Sequence, residues 1–219
     1  MSGRAVIERE RRLFDDFFKI DEFLISHEQI DGTMSAGQRR LVFERGDAVA
    51  VLLLNVDIKS VVLVEQFRVA VLVGRRRDDR STTDGWITET VAGVVDANET
   101  PEAAAIRETF EETGYQIRQP QLIGRFFSSP GGMSERIFLY VAEVTDADRI
   151  GPGGGTGDED IKIVQLTIDE LFGRLSQGSI EDPKLLIGAY WLQNRLTAQP
   201  PNRAGASAAQ ERQPRPATS

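Results

Sequence analysis

Three carboxylates fall within five positions in the stretch "GVVDANETPEAAAIRETFEETGY", which runs from Gly93 to Tyr115: Glu108, Glu111 and Glu112. Acids at helical spacing repel, and an uncompensated i,i+4 pair costs roughly 0.2–0.5 kcal/mol. Crowded in this way they offer hard oxygen donors, the ligand type that Mg²⁺ and similar divalent cations require. A solvated helix face is the plain alternative, and for three acids taken alone it is the simpler reading.

The element that must carry them is legible. Thr100 and Pro101 give an N-cap followed by proline at the first helical position, and Gly114 is a stop signal. A helix over Pro101 to Thr113 presents Ala103, Ile106 and Phe110 as an apolar face for packing on a sheet. Glu108 and Glu112 then lie nearly opposite that face, with Glu111 beside them. "TVAGVV" before the helix reads as a strand ending in a glycine turn, which sets the acids over a sheet edge.

Elsewhere strand signals dominate. "AVAVLLLNV" and "SVVLVEQFRVAV", separated by a turn at Asn55 to Lys59, predict a hairpin with a buried core. "FFKIDEFLIS" and "RRLVFERG" read as earlier strands; "WITETVAGVV", "QLIGRFFSS", "RIFLYVAEV" and "IKIVQLTI" supply later ones. Loops are expected at Gly74 to Gly85 and at Ala147 to Asp160. A helix follows Thr167 and Glu170, which fit a capping box, and another spans "PKLLIGAYWLQNRL" with Leu185, Ala189, Leu192 and Leu196 on one apolar stripe. Many strands with a few helices out of strict alternation predict an α+β fold. From about Thr197 the chain is rich in Ala, Pro, Gln and Arg, without apolar periodicity, and reads as a disordered tail.

Composition narrows the chemistry. The 219 residues carry a formal charge of −8, which argues against a nucleic-acid backbone binder. No cysteine is present, which excludes disulfides, thiolate catalysis and cysteine-ligated zinc and favours a cytoplasmic address. The single histidine, His27, leaves little room for histidine-dependent machinery. No apolar run is long enough to span a membrane, and "MSGRAVIERERR" lacks the apolar core of a secretory signal.

The acidic stretch as a whole resembles the box of the Nudix hydrolases. Gly93, Glu99, Arg107, Glu108, Glu111, Glu112 and Gly114 stand at all seven diagnostic spacings, and Tyr115 follows where a bulky apolar residue is expected. Thr109 takes a position usually held by an aliphatic residue, a departure expected to affect packing more than chemistry. The resemblance implies a mixed sheet sandwiched between helices and a bound Mg²⁺, with Mn²⁺ as an alternative. Glu108 and Glu112 would be the main ligands, assisted by Glu111, by the carbonyl of Ala92 and by Glu159. Gly93 would allow the turn that aims that carbonyl, Arg107 would hold Glu99, and Gly114 would end the helix.

From about Phe18 to Leu196 the chain is similar to the branch that holds ADP-ribose and GDP-mannose pyrophosphatases. That resemblance implies cleavage of a nucleoside diphosphate sugar to a nucleoside monophosphate and a sugar phosphate. It also implies a homodimer that exchanges its N-terminal β-rich segment. The implied division is 1–45 for that segment, 46–196 for the catalytic domain and 197–219 for the tail. Arg40, Arg68, Glu89, Glu135 and Lys184 would contact substrate. A surface strand arginine is the alternative for Arg40 and for Arg68, a strand-face charge for Glu89, and an exposed helix-start residue for Lys184. Glu135 in "SPGGMSER" leans toward ADP-ribose; "PGGGTGDEDI" and Lys184 in "EDPKLL" lean toward GDP-mannose. One departure touches the mechanism: Gly157 stands where the relatives carry a loop glutamate as general base. That leaves Asp158 after a loop shift, Glu159 itself, or water deprotonated with no side chain. A weakly active enzyme, a nucleotide-sugar sensor, or a hydrolase of another pyrophosphate-linked nucleotide are the remaining alternatives.

Overall fold

The computed structural model describes residues 3–198, so the expected tail lies outside the described residues apart from its first two positions. The chain runs β1 (Ala5–Asp15), β2 (Lys19–His27), β3 (Gln38–Glu44), β4 (Ala48–Asn55), β5 (Ser60–Phe67), α1 (Val69–Arg75), β6 (Trp86–Glu89), β7 (Val91–Val94) and α2 (Pro101–Thr113). It continues with β8 (Gln121–Phe127), β9 (Arg136–Val144), a 3₁₀ turn (Asp146–Asp148), β10 (Ile161–Thr167), α3 (Ile168–Gln177) and α4 (Pro183–Ala198). The first three strands make an antiparallel sheet of their own, and the other seven form a mixed sheet.

The mixed sheet is buried on both faces, which gives three layers. Along β4, Val49, Val51 and Leu53 pack with Ala104 and Ala105 of α2, while Leu52 packs with Leu171 of α3 and with Leu185, Ala189 and Leu192 of α4. Period-2 alternation explains the division, since successive side chains of a strand point to opposite faces. A strand apolar on both faces therefore reads as the continuous run "AVAVLLLN".

The predicted hairpin forms but splays. β4 and β5 pair only at Leu53–Val62, Leu54–Val61 and Asn55–Ser60. Beyond these positions β4 pairs with β7 and β5 with β6, so "WITETVAGVV" is two strands rather than the single one expected. The break falls at Thr90, in the fork between the diverging strands. β5 stops at Phe67, opposite the first residue of β6, and past that point it has no partner. The residues of "RVAV" after Arg68 therefore turn into α1 and do not prolong the strand. Arg75 at the end of α1 bonds Asp84 and Glu181, closing the Gly74 to Gly85 loop against the start of α4.

Two other expectations need correction. β1 was not foreseen in "AVIERERR": all eleven of its residues are exposed, so it carries no apolar alternation to read. α4 continues through Ala198, and Leu196 is 46% exposed, outside the buried stripe of Leu185, Ala189 and Leu192. The caps behave as expected. Thr100 accepts from the Ala103 N–H, and Thr167 and Glu170 form the reciprocal box.

Leu52 is fully buried between sheet and α4. Leu52→Ala should lower the unfolding free energy by roughly 2–5 kcal/mol, the usual range for core truncation. Leu196→Ala should stay within about 0.5 kcal/mol, as surface changes do. Urea titrations of the two variants and the parent check both values.

Candidate active site

The helix that carries the acids packs on a different face from the one its pattern suggests. Its buried residues are Ala104, Ala105, Thr109, Glu112 and Thr113, whereas Ala103 is exposed and Phe110 is 42% exposed. Small side chains at 104 and 105 let α2 lie close on the sheet. The hydroxyls of Thr109 and Thr113 are satisfied by the carbonyls of Ala105 (2.7 Å) and Thr109 (2.5 Å). Thr109 thus fits a tight interface that an aliphatic residue would fill differently. Glu112 consequently lies on the packed side, only 2% exposed, and its Oε2 accepts the Ala92 N–H at 3.3 Å.

Gly93 also has a different reason from the one expected. It sits in β7, paired with Val49, and is not among the glycines with positive φ. A Cβ at this position would stand 1.9 to 2.5 Å from the carboxylate atoms of Glu108. The missing side chain is the space that Glu108 occupies. Gly114, by contrast, meets the expectation: its φ of 74° is left-handed, and it closes the helix.

Arg107 is the hub of the exposed side. It grips Glu99 through Nε (3.1 Å) and Nη2 (2.8 Å), and its Nη1 reaches Glu108 (2.7 Å) and Glu111 (3.2 Å). Nη2 also donates to the Val94 carbonyl at 3.2 Å, tying α2 to β7. The hydrogen bonds from Arg107 hold the Glu99 carboxyl below its ordinary range. Glu108 is pushed upward, because its burial outweighs the pull of Arg107. Glu112 rises to about 9: burial comes first, the charges of Glu108 and Glu159 add to it, and the Ala92 N–H and Arg68 only partly offset them.

The Gly-rich loop after the 3₁₀ turn completes this side. The N–H groups of Ile150 and Gly151 bond the Gly114 carbonyl, Gly154 bonds that of Glu112 (2.9 Å), and Gly155 bonds that of Glu111 (3.0 Å). These bonds satisfy carbonyls that the last helical turn leaves open. Side chains are excluded there, since a Cβ on Gly153 would approach the Thr113 backbone to 2.6 Å. Gly151 to Gly155 are therefore anchored at the end of α2, and the tip of the loop lies beyond them. That tip bears Glu159, whose Oε2 accepts the Thr156 N–H at 2.9 Å. Asp158 is exposed next to it, and Gly157 has a φ of 62° with open space around it.

A cationic wall faces the acids. Arg68, at the end of β5, donates to Glu89 at 2.8 Å, and the charges of Glu112 and Glu159 both act on it. Glu89 is buried and also takes the Lys184 ammonium at 3.2 Å. Burial alone would raise the Glu89 carboxyl, but Lys184 and Arg68 together hold it below the usual range. Lys184 is mostly enclosed, its side chain 14% exposed, which removes the exposed helix-start alternative, and its second partner is Asp182 at 2.6 Å. Asp182 was missed from sequence, although an aspartate directly before a proline that opens a helix is an N-cap pattern. Glu135 is buried and pairs with Arg45 at 3.3 Å, where β3 meets the loop before β9. Arg40 is not brought to this group: it is exposed and bonds only the Arg39 carbonyl and Gln38 on its own strand.

Among the described residues no three acidic side chains stand as a ready-made cation cage. Glu108 and Glu111 are held by Arg107, and Glu159 by the Thr156 N–H. The chemistry of the donors nevertheless fits a hard divalent cation, because Glu112 is a buried acid whose charged form lacks full compensation. Ala92 adjoins this acid through its N–H.

A carboxyl held at a raised pKa in the folded state binds its proton more tightly than in the unfolded chain. Its contribution to stability is present at low pH and fades as pH rises from about 4.5, the ordinary value, to about 9. Urea unfolding with EDTA present should show the parent losing stability between pH 6 and 8.5. Glu112→Gln should lose less over the same interval.

Comparison with known proteins agrees with this geometry. A NUDIX domain pattern matches residues 44–186, from the end of β3 into α4. The chain is similar to the GDP-mannose pyrophosphatase of Cronobacter sakazakii (strain ATCC BAA-894), with 35% identity over 195 residues, 89% of this chain and 98% of the relative. It is also similar to the GDP-mannose pyrophosphatases of Enterobacter sp. (strain 638), at 34% identity, and of Escherichia coli O1:K1 / APEC, at 32%. Each of these alignments covers 88% of this chain and 97% of the relative. With most of its length matched and its acids, arginine and glycines in the places just described, the chain belongs to the NUDIX family.

Proposed function

We propose that this NUDIX protein is a divalent-cation-dependent pyrophosphohydrolase that splits a nucleoside diphosphate sugar, GDP-mannose foremost, into a nucleoside monophosphate and a sugar phosphate. The observation that carries the reading is the buried Glu112, set beside Glu108 and Glu159 and opposite Arg68. Glu108, Glu112 and Glu159, with Glu111 and the Ala92 backbone, would hold Mg²⁺ or Mn²⁺. Bound there, the cation would neutralise pyrophosphate charge and make a water molecule easier to deprotonate.

The chain's own residues supply the rest. Arg68 offers a planar fork to the phosphate oxygens. Lys184 and Glu89 stand behind it, where a sugar or ribose hydroxyl could be read. With Gly157 in the place of a loop glutamate, Glu159 is the favoured proton acceptor over Asp158, because its charge acts on Glu108, Glu112 and Arg68. A positioned carboxylate in this role is worth about 10²–10⁴-fold in rate.

The named relatives and the enclosure of Lys184 between Asp182 and Glu89 support GDP-mannose. ADP-ribose is the second reading, favoured by Glu135 in its "SER" context. A homodimer built through the segment 1–45, joined to a catalytic domain over 46–196, suits the exposure of β1 and of Phe17 (79%). It also suits Arg40, which would then serve the partner's site. Among the described residues no helix is long and apolar enough to cross a membrane. A cytoplasmic address follows the cysteine-free sequence.

Incubation of the protein and Mg²⁺ with GDP-mannose and ADP-ribose, products resolved by chromatography, tests the reading. GMP with mannose 1-phosphate is expected, and EDTA should abolish it. Both substrates left intact would overturn it. Glu112→Gln should lower kcat at least roughly 100-fold, beyond the usual effect of residues that merely support a ligand. Gly93→Ala should be similarly damaging through displacement of Glu108, whereas Gly173→Ala, where a Cβ meets nothing within 4 Å, should leave activity unchanged.

A further inference from the structure

Asp182 is 1% exposed, and its carboxylate is saturated with donors. Oδ1 takes the Lys184 N–H (3.2 Å) and the Lys184 ammonium (2.6 Å), while Oδ2 takes the N–H groups of Leu185 (3.1 Å) and Thr90 (3.2 Å). Two of those bonds cap α4. The one to Thr90 does something else: it pins the helix start to the fork between β6 and β7, one residue from Glu89. Lys184 sits in the first turn of α4, where the helix dipole disfavours a cation, so its position depends on neighbouring anions. Those anions are Asp182 and Glu89.

From the far side of the fork the order is Asp182, Lys184, Glu89 and Arg68, alternating in sign and linked at 2.6, 3.2 and 2.8 Å. Asp182 and Glu89 are buried and Lys184 is mostly enclosed, so that only the Arg68 end opens toward the acids of α2. Without the negative charge of Asp182, Lys184 would draw wholly on Glu89, and Glu89 would hold Arg68 less firmly.

We infer that Asp182 is a positioning residue for substrate binding, acting through Lys184 and Glu89 to fix the direction of the Arg68 guanidinium. This rests on the proposed reading of Arg68 and Lys184 as substrate contacts. The role is more than capping, because a cap needs only an acceptor oxygen, whereas the chain of ion pairs needs the charge.

The test uses Asp182→Asn, Lys184→Met and the double variant, with melting temperature, kcat and KM for GDP-mannose measured on each. Asn caps a helix about as well as Asp, so the single variant is expected to fold. Asp182→Asn should raise KM by roughly tenfold with a smaller change in kcat, within the span found for coupled neighbours. In the Lys184→Met background the same change should leave KM unaltered. A fall in melting temperature with KM unchanged, or an equal KM penalty in both backgrounds, would reduce Asp182 to a cap and overturn the inference. If Asp182→Asn gives no cooperative melt, the double variant decides: KM equal to that of Lys184→Met upholds the relay, and a further rise overturns it. A parent inactive on GDP-mannose would instead strike the proposed function, a result separable from all of these.

Discussion

Everything in this site follows from the burial of one acid. Glu112 lies on the face of α2 that packs against β7, and a carboxylate there can be charged only if something positive comes to meet it. The alanines at 104 and 105 bring the helix close enough for that burial. Gly93 leaves a gap for the neighbouring Glu108, and Arg107 keeps the outer acids from repelling one another. These residues look like separate motif positions in the sequence. In the fold they are successive conditions for keeping several acids together at one seam.

The seam exists because the sheet forks. Had β4 and β5 remained paired along their length, β6 and β7 would have had no place between them, and Ala92 and Gly93 would not stand under α2. The three-position pairing of the hairpin therefore matters to function as much as any side chain does. On the other face, α3 and α4 complete the core with Leu171, Leu185, Ala189 and Leu192, and α4 brings Lys184 to the fork from below.

The α+β class, the core hairpin and the limits of α2 could all be read from the chain, since each has a local signature: apolar runs, a cap, a stop; the Glu99–Arg107 pair came from the family resemblance alone. The faces of α2 could not. Periodicity favours Ala103, Ile106 and Phe110 as the buried side; Ile106 does pack on the core, yet Ala103 and Phe110 stay exposed while the small residues take the closest contact and bring Glu112 with them. β1 escaped notice because a strand exposed at every residue has no alternation. Thr90 as a strand break, and Asp182 as the residue that takes its N–H, depend on contacts across 92 positions that no local pattern encodes. Lys184 stands out by resemblance, but its enclosure between Asp182 and Glu89 depends on where α4 lies on the sheet.

The anchoring of the Gly-rich loop on α2 sets the scale of any closure over a substrate. The last clamp is the Gly155 N–H on the Glu111 carbonyl, and β10 begins at Ile161. The tether between them, residues 156–160, spans about 17 Å when extended. A flap this short can lift its tip by only about half that length. Glu159 is therefore carried as if on a stiff hinge, able to swing toward the acids of α2 but unable to drift far from them.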